Sequence, residues 1–297
     1  MIPREFPSRW QTGLPVLTSL FLWFSVFFTG VAWVAPGVEL WERWTRSDPE
    51  SSASITYDNW NRFLEKYIVE SPGGITLVRY GAVTGEDQEN LRSEIHRLSR
   101  VPISRFNRDQ QRAFWINLYN ALTVKLILDH TPVDSIRDID ISPGWFSDGP
   151  WGRKLVTVED EELSLDDIEH RILRPIWRDP RLHYALNCAA RGCPNLVAMA
   201  YTAANSESLL DAGARAYVNH DRGATFVDGA LVVSSIYVWY MPDLGGSGGG
   251  GIARLGRYAE PGLAAKLARV SRIYDDAYDW RLNNAGGDGT MTSPVSQ

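Results

Sequence analysis

A chain of 297 residues that is 44% hydrophobic and 11% aromatic can build one large domain, or at most two small ones, with a real core, which excludes a disordered tail protein. Its formal net charge of -6 argues against nucleic acid or an anionic membrane surface as a partner, because both select for clustered Lys and Arg. Two cysteines are too few for a disulfide-dense miniature scaffold and lack the doubled Cys-x-x-Cys spacing of a zinc ribbon, so stability must rest on apolar burial.

Residues 1–13 carry Arg4 and Arg9 and read as a short cytoplasmic N-terminus. From Leu14 to Val34 the chain runs LPVLTSLFLWFSVFFTGVAWV without a charge, close to the roughly 20 residues that cross a bilayer. Residues 14–35 are therefore expected to be a membrane anchor or signal sequence. Gly30 and Ala32 would suit a cleavage site, but the apolar run exceeds the roughly 7–15 residues of a signal peptide core, which favours an uncleaved anchor. Trp33, Trp41 and Trp44 fit an interfacial aromatic belt, and the basic residues before the helix place the rest of the chain on the exported, periplasmic or extracellular, side. Residues 36–56, with the polar run TRSDPESSASIT, read as a linker.

The globular part is expected over 57–284. Trp60, Phe63, Leu64, Tyr67 and Ile68 follow helical spacing, ITLVRY (75–80) reads as a strand, and Leu91, Ile95 and Leu98 mark a second helix that ends near Pro102. A third helix is capped by Asn107, with Gln110 in the reciprocal position of a capping box, and runs to His130. Its centre, AFWINLYNALTVKLIL, is apolar nearly all round and so belongs inside the fold. Asn117 and Asn120 share a face of that buried helix. An unpartnered buried amide costs about 1–3 kcal/mol, so the pair implies either a structural hydrogen-bond network or a site.

Residues 140–152, DISPGWFSDGPWG, form a turn-rich loop with Trp145, Phe146 and Trp151, and KLVTV (154–158) alternates like a strand. Ser164 and Asp167 open a short helix that carries Glu169 and His170 one turn in. After the Asp179-Pro180 turn, LHYALNCAA reads as a buried strand broken by RGCPN. A helix follows over 205–219, then TFVDGALVV, a hairpin around Asp228-Gly229. LGGSGGGG (244–251) reads as a flexible loop, a final helical stretch follows, and residues 285–297 read as a disordered tail. These elements predict an α+β class: one globular domain with a small mixed or antiparallel sheet packed by helices, preceded by one N-terminal hydrophobic helix.

Five stretches in order, AFWINLYNALT (113–123), LSLDDIEHRILR (163–174), DPRLHYALNCAARGCPNL (179–196), SSIYVWYMPDLG (234–245) and YDDAYDWRLN (274–283), resemble the domain of unknown function 547 family. The resemblance implies a single globular unit over most of 57–284 and no particular activity. The glycine-rich insert and the hydrophobic N-terminus depart from the family pattern. Similar domains in plant proteins thought to be intracellular weigh against a purely structural role for the two thiols.

Cys188 and Cys193 allow three readings. As a strut, two exported thiols with four residues between them can reach the roughly 5.5 Å Cα separation of a disulfide if the AARG loop turns back. As a nucleophile, a thiol needs a cation, an imidazole or a helix N-terminus to lower its pKa, and an oriented base. His183 lies five positions before Cys188, on the opposite face if the segment is a strand. His170 is then the alternative base, with Glu169 or Asn117 as orienter. Pro194 can begin a helix that leaves Cys193 at its cap. As zinc ligands, Cys188, Cys193, His183 and His170 offer suitable types in no compact finger spacing. His96, His130 and His220 suit helix-end carbonyls instead.

The reading adopted is a thiol-dependent hydrolase or acyl transferase with papain-like or transglutaminase-like chemistry. Its site is drawn from Cys188, Cys193, His170, His183, Glu169, Asn117 and Asn120, without metal or cofactor. The alternative is a non-catalytic binding domain with a structural Cys188–Cys193 disulfide and a peptide or glycan ligand held by exposed tryptophans. In both, residues 14–35 engage the membrane.

Overall fold

The computed structural model describes residues 37–144, 149–246 and 249–286. The segments read as a membrane anchor (14–35), the Trp145–Phe146 loop tip and the tail beyond 286 lie outside them. No helix among the described residues is long and apolar enough to cross a membrane.

Helices α1 (Asp58–Tyr67) and α2 (Gly85–Ser99) pack beside α3 (Arg108–His130), the 23-residue helix on which the larger core is built. Asn107 caps α3 by accepting the Gln110 amide at 3.0 Å. Gln110 does not close the box; its side chain accepts from the Ile55 amide at 3.3 Å and ties the preceding segment to the helix. Every residue from Gln111 to Val124 is buried, as an apolar run on all faces requires.

Among the described residues three small sheets replace the single one expected. β1 (Ile68–Glu70) pairs antiparallel with β2 (Thr76–Val78), and β3 (Val156–Val158) with β4 (Glu161–Leu163). A π-helical turn, Asp167–Leu173, then runs into α4 (Arg174–Trp177). Beyond α5 (Ser206–Val218), β5 (Ala224–Val227) and β6 (Ala230–Ser234) form the hairpin, and α6 (Ile236–Trp239), α7 (Gly250–Tyr258) and α8 (Pro261–Leu267) complete a second apolar cluster. β7 (Asp275–Ala277) adds to β6 in parallel, with Val232 opposite Asp275 and Ser234 opposite Ala277. Helix and short sheet segments thus mix along the chain. Strands of three to five residues carry too little alternation for one-dimensional pattern to reveal which pair with which.

Four local expectations change. The segment LHYALNCAA is not a strand: Pro180–Tyr184 is a 3-10 turn and the residues after it are irregular. Its apolar letters report burial, and its backbone is satisfied by turn bonds, by the amides of Asn120 and Asn187, and by a single bridge from Ala190 to Leu282. No helix follows Pro194, so Cys193 is not a helix cap. The linker is partly structural. The Glu39 amide donates to the His170 carbonyl at 3.2 Å and the Trp41 amide to that of Arg171 at 3.0 Å. Trp44, 3% exposed, stands edge-on to Trp115 at 5.0 Å between centroids, inside the core instead of at a bilayer interface. At the end of the glycine run α7 begins at Gly250, where a Cβ would fall 1.7 Å from the Gly245 carbonyl oxygen.

Candidate functional site

The site begins with the capping box at the entry of the π-helical turn. The Ser164 amide donates to Asp167 Oδ2 at 2.8 Å and the Asp167 amide to Ser164 Oγ at 3.1 Å. With more than the usual residues per turn, the segment carries Glu169, His170 and, on entering α4, Arg174 into one buried region; such turns often occur at functional sites. His183 comes from the Pro180–Tyr184 turn and Asp243 from the chain after α6.

These side chains converge. His183 Nε2 donates to Asp243 Oδ2 at 2.8 Å, and Arg174 Nε donates to the same oxygen at 2.6 Å. Arg174 Nη1 lies 2.9 Å from His170 Nδ1. A guanidinium can only donate, so His170 Nδ1 accepts and the ring is neutral with its proton on Nε2, which faces Asp166 Oδ1 at 3.6 Å. Glu169 Oε1 sits 3.9 Å from Nδ1 of both imidazoles, and the Tyr119 hydroxyl donates to Oε2 at 3.2 Å. The Tyr240 ring lies 4.1 Å from the His183 ring between centroids and has the Arg174 guanidinium 4.9 Å from its own.

The charges follow from these contacts. Burial opposes ionisation of Glu169, but its neighbours, His183, the Tyr240 hydroxyl and Arg174 among them, outweigh it and hold the carboxyl below its ordinary range. Burial lowers the His170 imidazole, aided by Arg174 and His183. Asp243 is held low against a burial penalty by hydrogen bonds from His183 and Arg174. Asp166 goes the other way, pushed up to about 7 by burial and by Glu169 and Asp167. The group can therefore accept and release protons, and it reaches the surface at Asp243. There a pocket of about 450 Å³ is lined by Val38, Leu40, Arg174, Pro175, Arg178 and Asp243, among others.

The two sulfurs form a separate group. Cys188 and Cys193 are joined in a disulfide with Cα atoms 6.1 Å apart. The Cys188 amide donates to Cys193 Sγ at 2.8 Å, and the Tyr278 hydroxyl lies 3.0 Å from Cys188 Sγ and 3.1 Å from Cys193 Sγ. Neither His170 nor His183 hydrogen-bonds either sulfur; their partners are Arg174 and Asp243. Asn117 clamps Tyr201 through both backbone groups, at 2.7 Å to its carbonyl and 3.0 Å from its amide. Asn120 bridges the Ala185 carbonyl and the Asn187 amide, each at 2.9 Å. Both amides thus tie loops to α3, and Asn120 holds the loop that carries the disulfide. Among the described residues no three His, Cys, Asp or Glu side chains are arranged to hold a metal ion. His130 and His220 meet backbone carbonyls, of Leu126 at 2.9 Å and Gly73 at 2.8 Å.

Sequence reasoning centred on sulfur missed Asp166, Arg174, Tyr240, Asp243, Tyr119 and Tyr278. The signal was present. All six fall within the five quoted stretches, and Asp243 and Tyr240 stand together in SSIYVWYMPDLG.

No curated protein and no solved structure matches the chain. The model of the family described as "Protein of unknown function, DUF547" matches residues 103–218, which include α3, the π-helical turn, both histidines and both cysteines. The chain carries a domain of the DUF547 family.

Proposed function

We propose that the protein is an exported, membrane-tethered binding domain, clasped by the Cys188–Cys193 bond, whose ligand seats in the pocket above Asp243, His183 and Arg174. The observation that carries this reading is that each sulfur is bonded to the other and hydrogen-bonded to Tyr278, while the imidazoles engage Asp243 and Arg174. A disulfide suits an oxidising compartment, and the uncharged run from Leu14 to Val34 suits a tether. Among the residues that line the pocket, the Asp243 carboxylate favours a ligand with hydroxyl or amine donors, such as a glycan or peptide, and the proline, valine and leucine side chains would cover its apolar parts.

A second reading, a thiol-dependent hydrolase or acyl transferase that works when the bond is open, is favoured by one observation. The buried Glu169 between two imidazoles is a proton-handling arrangement beyond what simple binding needs. Iodoacetamide labelling of the native full chain separates the two. The binding reading expects neither cysteine to label without reductant, and a panel of short peptides and oligosaccharides to include one that raises the melting temperature of the parent protein but not of Asp243→Asn. Selective labelling of one cysteine without reductant, slowed by His170→Ala or His183→Ala, would overturn it in favour of the enzyme.

A further inference from the structure

The two sulfurs of the clasp are not equivalent. Cys193 is 2% exposed, whereas Cys188 is only half-buried. The Cys188 N–H donates to Cys193 Sγ at 2.8 Å, and the Tyr278 O–H, 3.1 Å from Cys193 Sγ and 3.0 Å from Cys188 Sγ, is within reach of both sulfurs. A disulfide sulfur is a weak acceptor and gains little from two donors, but a thiolate at the same position gains a great deal. Tyr278 is fixed in place by Trp239 and Trp280, each 4.7 Å away between ring centroids. Burial pushes its phenol well above the ordinary range, so the hydroxyl keeps its proton and remains a donor.

We propose that the Cys188–Cys193 bond is a site of thiol–disulfide exchange with a dithiol reductant, attacked at Cys188 and releasing Cys193 as a thiolate held by the Cys188 N–H and the Tyr278 hydroxyl. One thiolate of the dithiol attacks Cys188 Sγ; a sulfur–sulfur bond forms there as the Cys188–Cys193 bond breaks, and Cys193 Sγ takes the electron pair. The second thiol of the reductant, on losing its proton, attacks the reductant's own sulfur in the mixed disulfide. That closes the reductant into a disulfide and expels Cys188 as a thiolate. Two protons from the dithiol end on the two cysteines or in solvent, so the reductant is oxidised by two electrons and the clasp is reduced by two. A surface cavity of about 380 Å³ is lined by Gly192, the chain neighbour of Cys193, and by Tyr278, whose hydroxyl meets both sulfurs, and would hold the reductant's chain. Asn187 Nδ2 donates to the Pro194 carbonyl at 2.7 Å across the same turn, and Asn120 accepts from the Asn187 amide, so the loop keeps these ties when the bond opens.

The test uses the oxidised full chain. It is treated briefly with the monothiol 2-mercaptoethanol, quenched in acid, capped with N-ethylmaleimide and mapped by mass spectrometry. The expected product carries mercaptoethanol on Cys188 and maleimide on Cys193; the reverse distribution overturns the proposal. Reduction by dithiothreitol at neutral pH should be about tenfold slower in Tyr278→Phe, the loss of one charge-assisted hydrogen bond to the leaving sulfur. An unchanged rate also overturns it. Should Tyr278→Phe fail to fold, Cys188→Ala isolates the Cys193 thiol, whose ultraviolet thiolate titration should lie about one unit below the ordinary value near 8.5; an ordinary or raised value refutes the assigned stabilisation. None of these outcomes bears on the ligand pocket at Asp243, which shares no residue with the exchange site.

Discussion

At the scale of single residues, the polarity of the site is set by who can donate to whom. Arg174 has no acceptor atom, so its contact with His170 Nδ1 fixes that ring's tautomer, and its bond to Asp243 leaves that carboxylate ionised. Asp166 is the exception in sign. Its folded value of about 7 lies above the ordinary 3.8, so the folded protein binds this proton more tightly than the unfolded chain does. The stability it contributes is fully present below about pH 4 and is lost as pH rises through about 7. Its side chain is 37% exposed, and solvent screening reduces the effect to about 1 kcal/mol. Asp166→Asn, which cannot ionise, should therefore match the parent in urea unfolding near pH 4 and exceed it by about 1 kcal/mol at pH 8. A variant no more stable than the parent at pH 8 would show that Asp166 ionises without penalty.

At the scale of elements, α3 serves as the post to which irregular chain is tied. Loops with buried backbone need partners, and here Asn117 and Asn120 supply them, to Tyr201 in one case and to Ala185 and Asn187 in the other. Asn120→Ala would orphan the Ala185 carbonyl and the Asn187 amide, both in residues 3% exposed. The expected cost is about 2–4 kcal/mol in chemical denaturation, with a larger loss of near-ultraviolet than far-ultraviolet circular dichroism, since α3 itself survives. A cost under about 0.5 kcal/mol would mean that water replaces the amide. The same logic explains why the π-helical turn matters. It keeps Glu169, His170 and Arg174 on one side of a short segment and so brings a carboxylate, an imidazole and a guanidinium to the neighbourhood of His183.

At the scale of the whole molecule, residues 37–57 belong to the folded unit that the family match begins inside, at residue 103. Trp44 enters the core against Trp115, Ile55 and Tyr57 are buried, and Val38 and Leu40 form part of the pocket wall. Trp44→Ala in the full chain should cost about 3–5 kcal/mol of unfolding free energy, as for other buried large aromatics. A surface-like cost below about 0.5 kcal/mol would place this segment outside the cooperative unit. Residues 37–57 thus help build the pocket wall, and any ligand at Asp243 binds beside them.

The amino-acid sequence by itself determined what depends on neighbours a few positions away. The Asn107 and Ser164 caps, the all-round burial of α3, the hairpin at Asp228-Gly229 and the helix over Ser206–Val218 are local consequences of spacing and turn chemistry, and family resemblance was legible in five ordered stretches. Only the tertiary structure decided what each buried polar group meets. Asn117 meets a backbone instead of a histidine, His183 meets Asp243 sixty residues on instead of Cys188, and the sulfurs meet each other and Tyr278. The physical reason is that burial makes a polar side chain require a partner without specifying which. That choice is made by packing elements whose separation along the chain leaves no periodic trace.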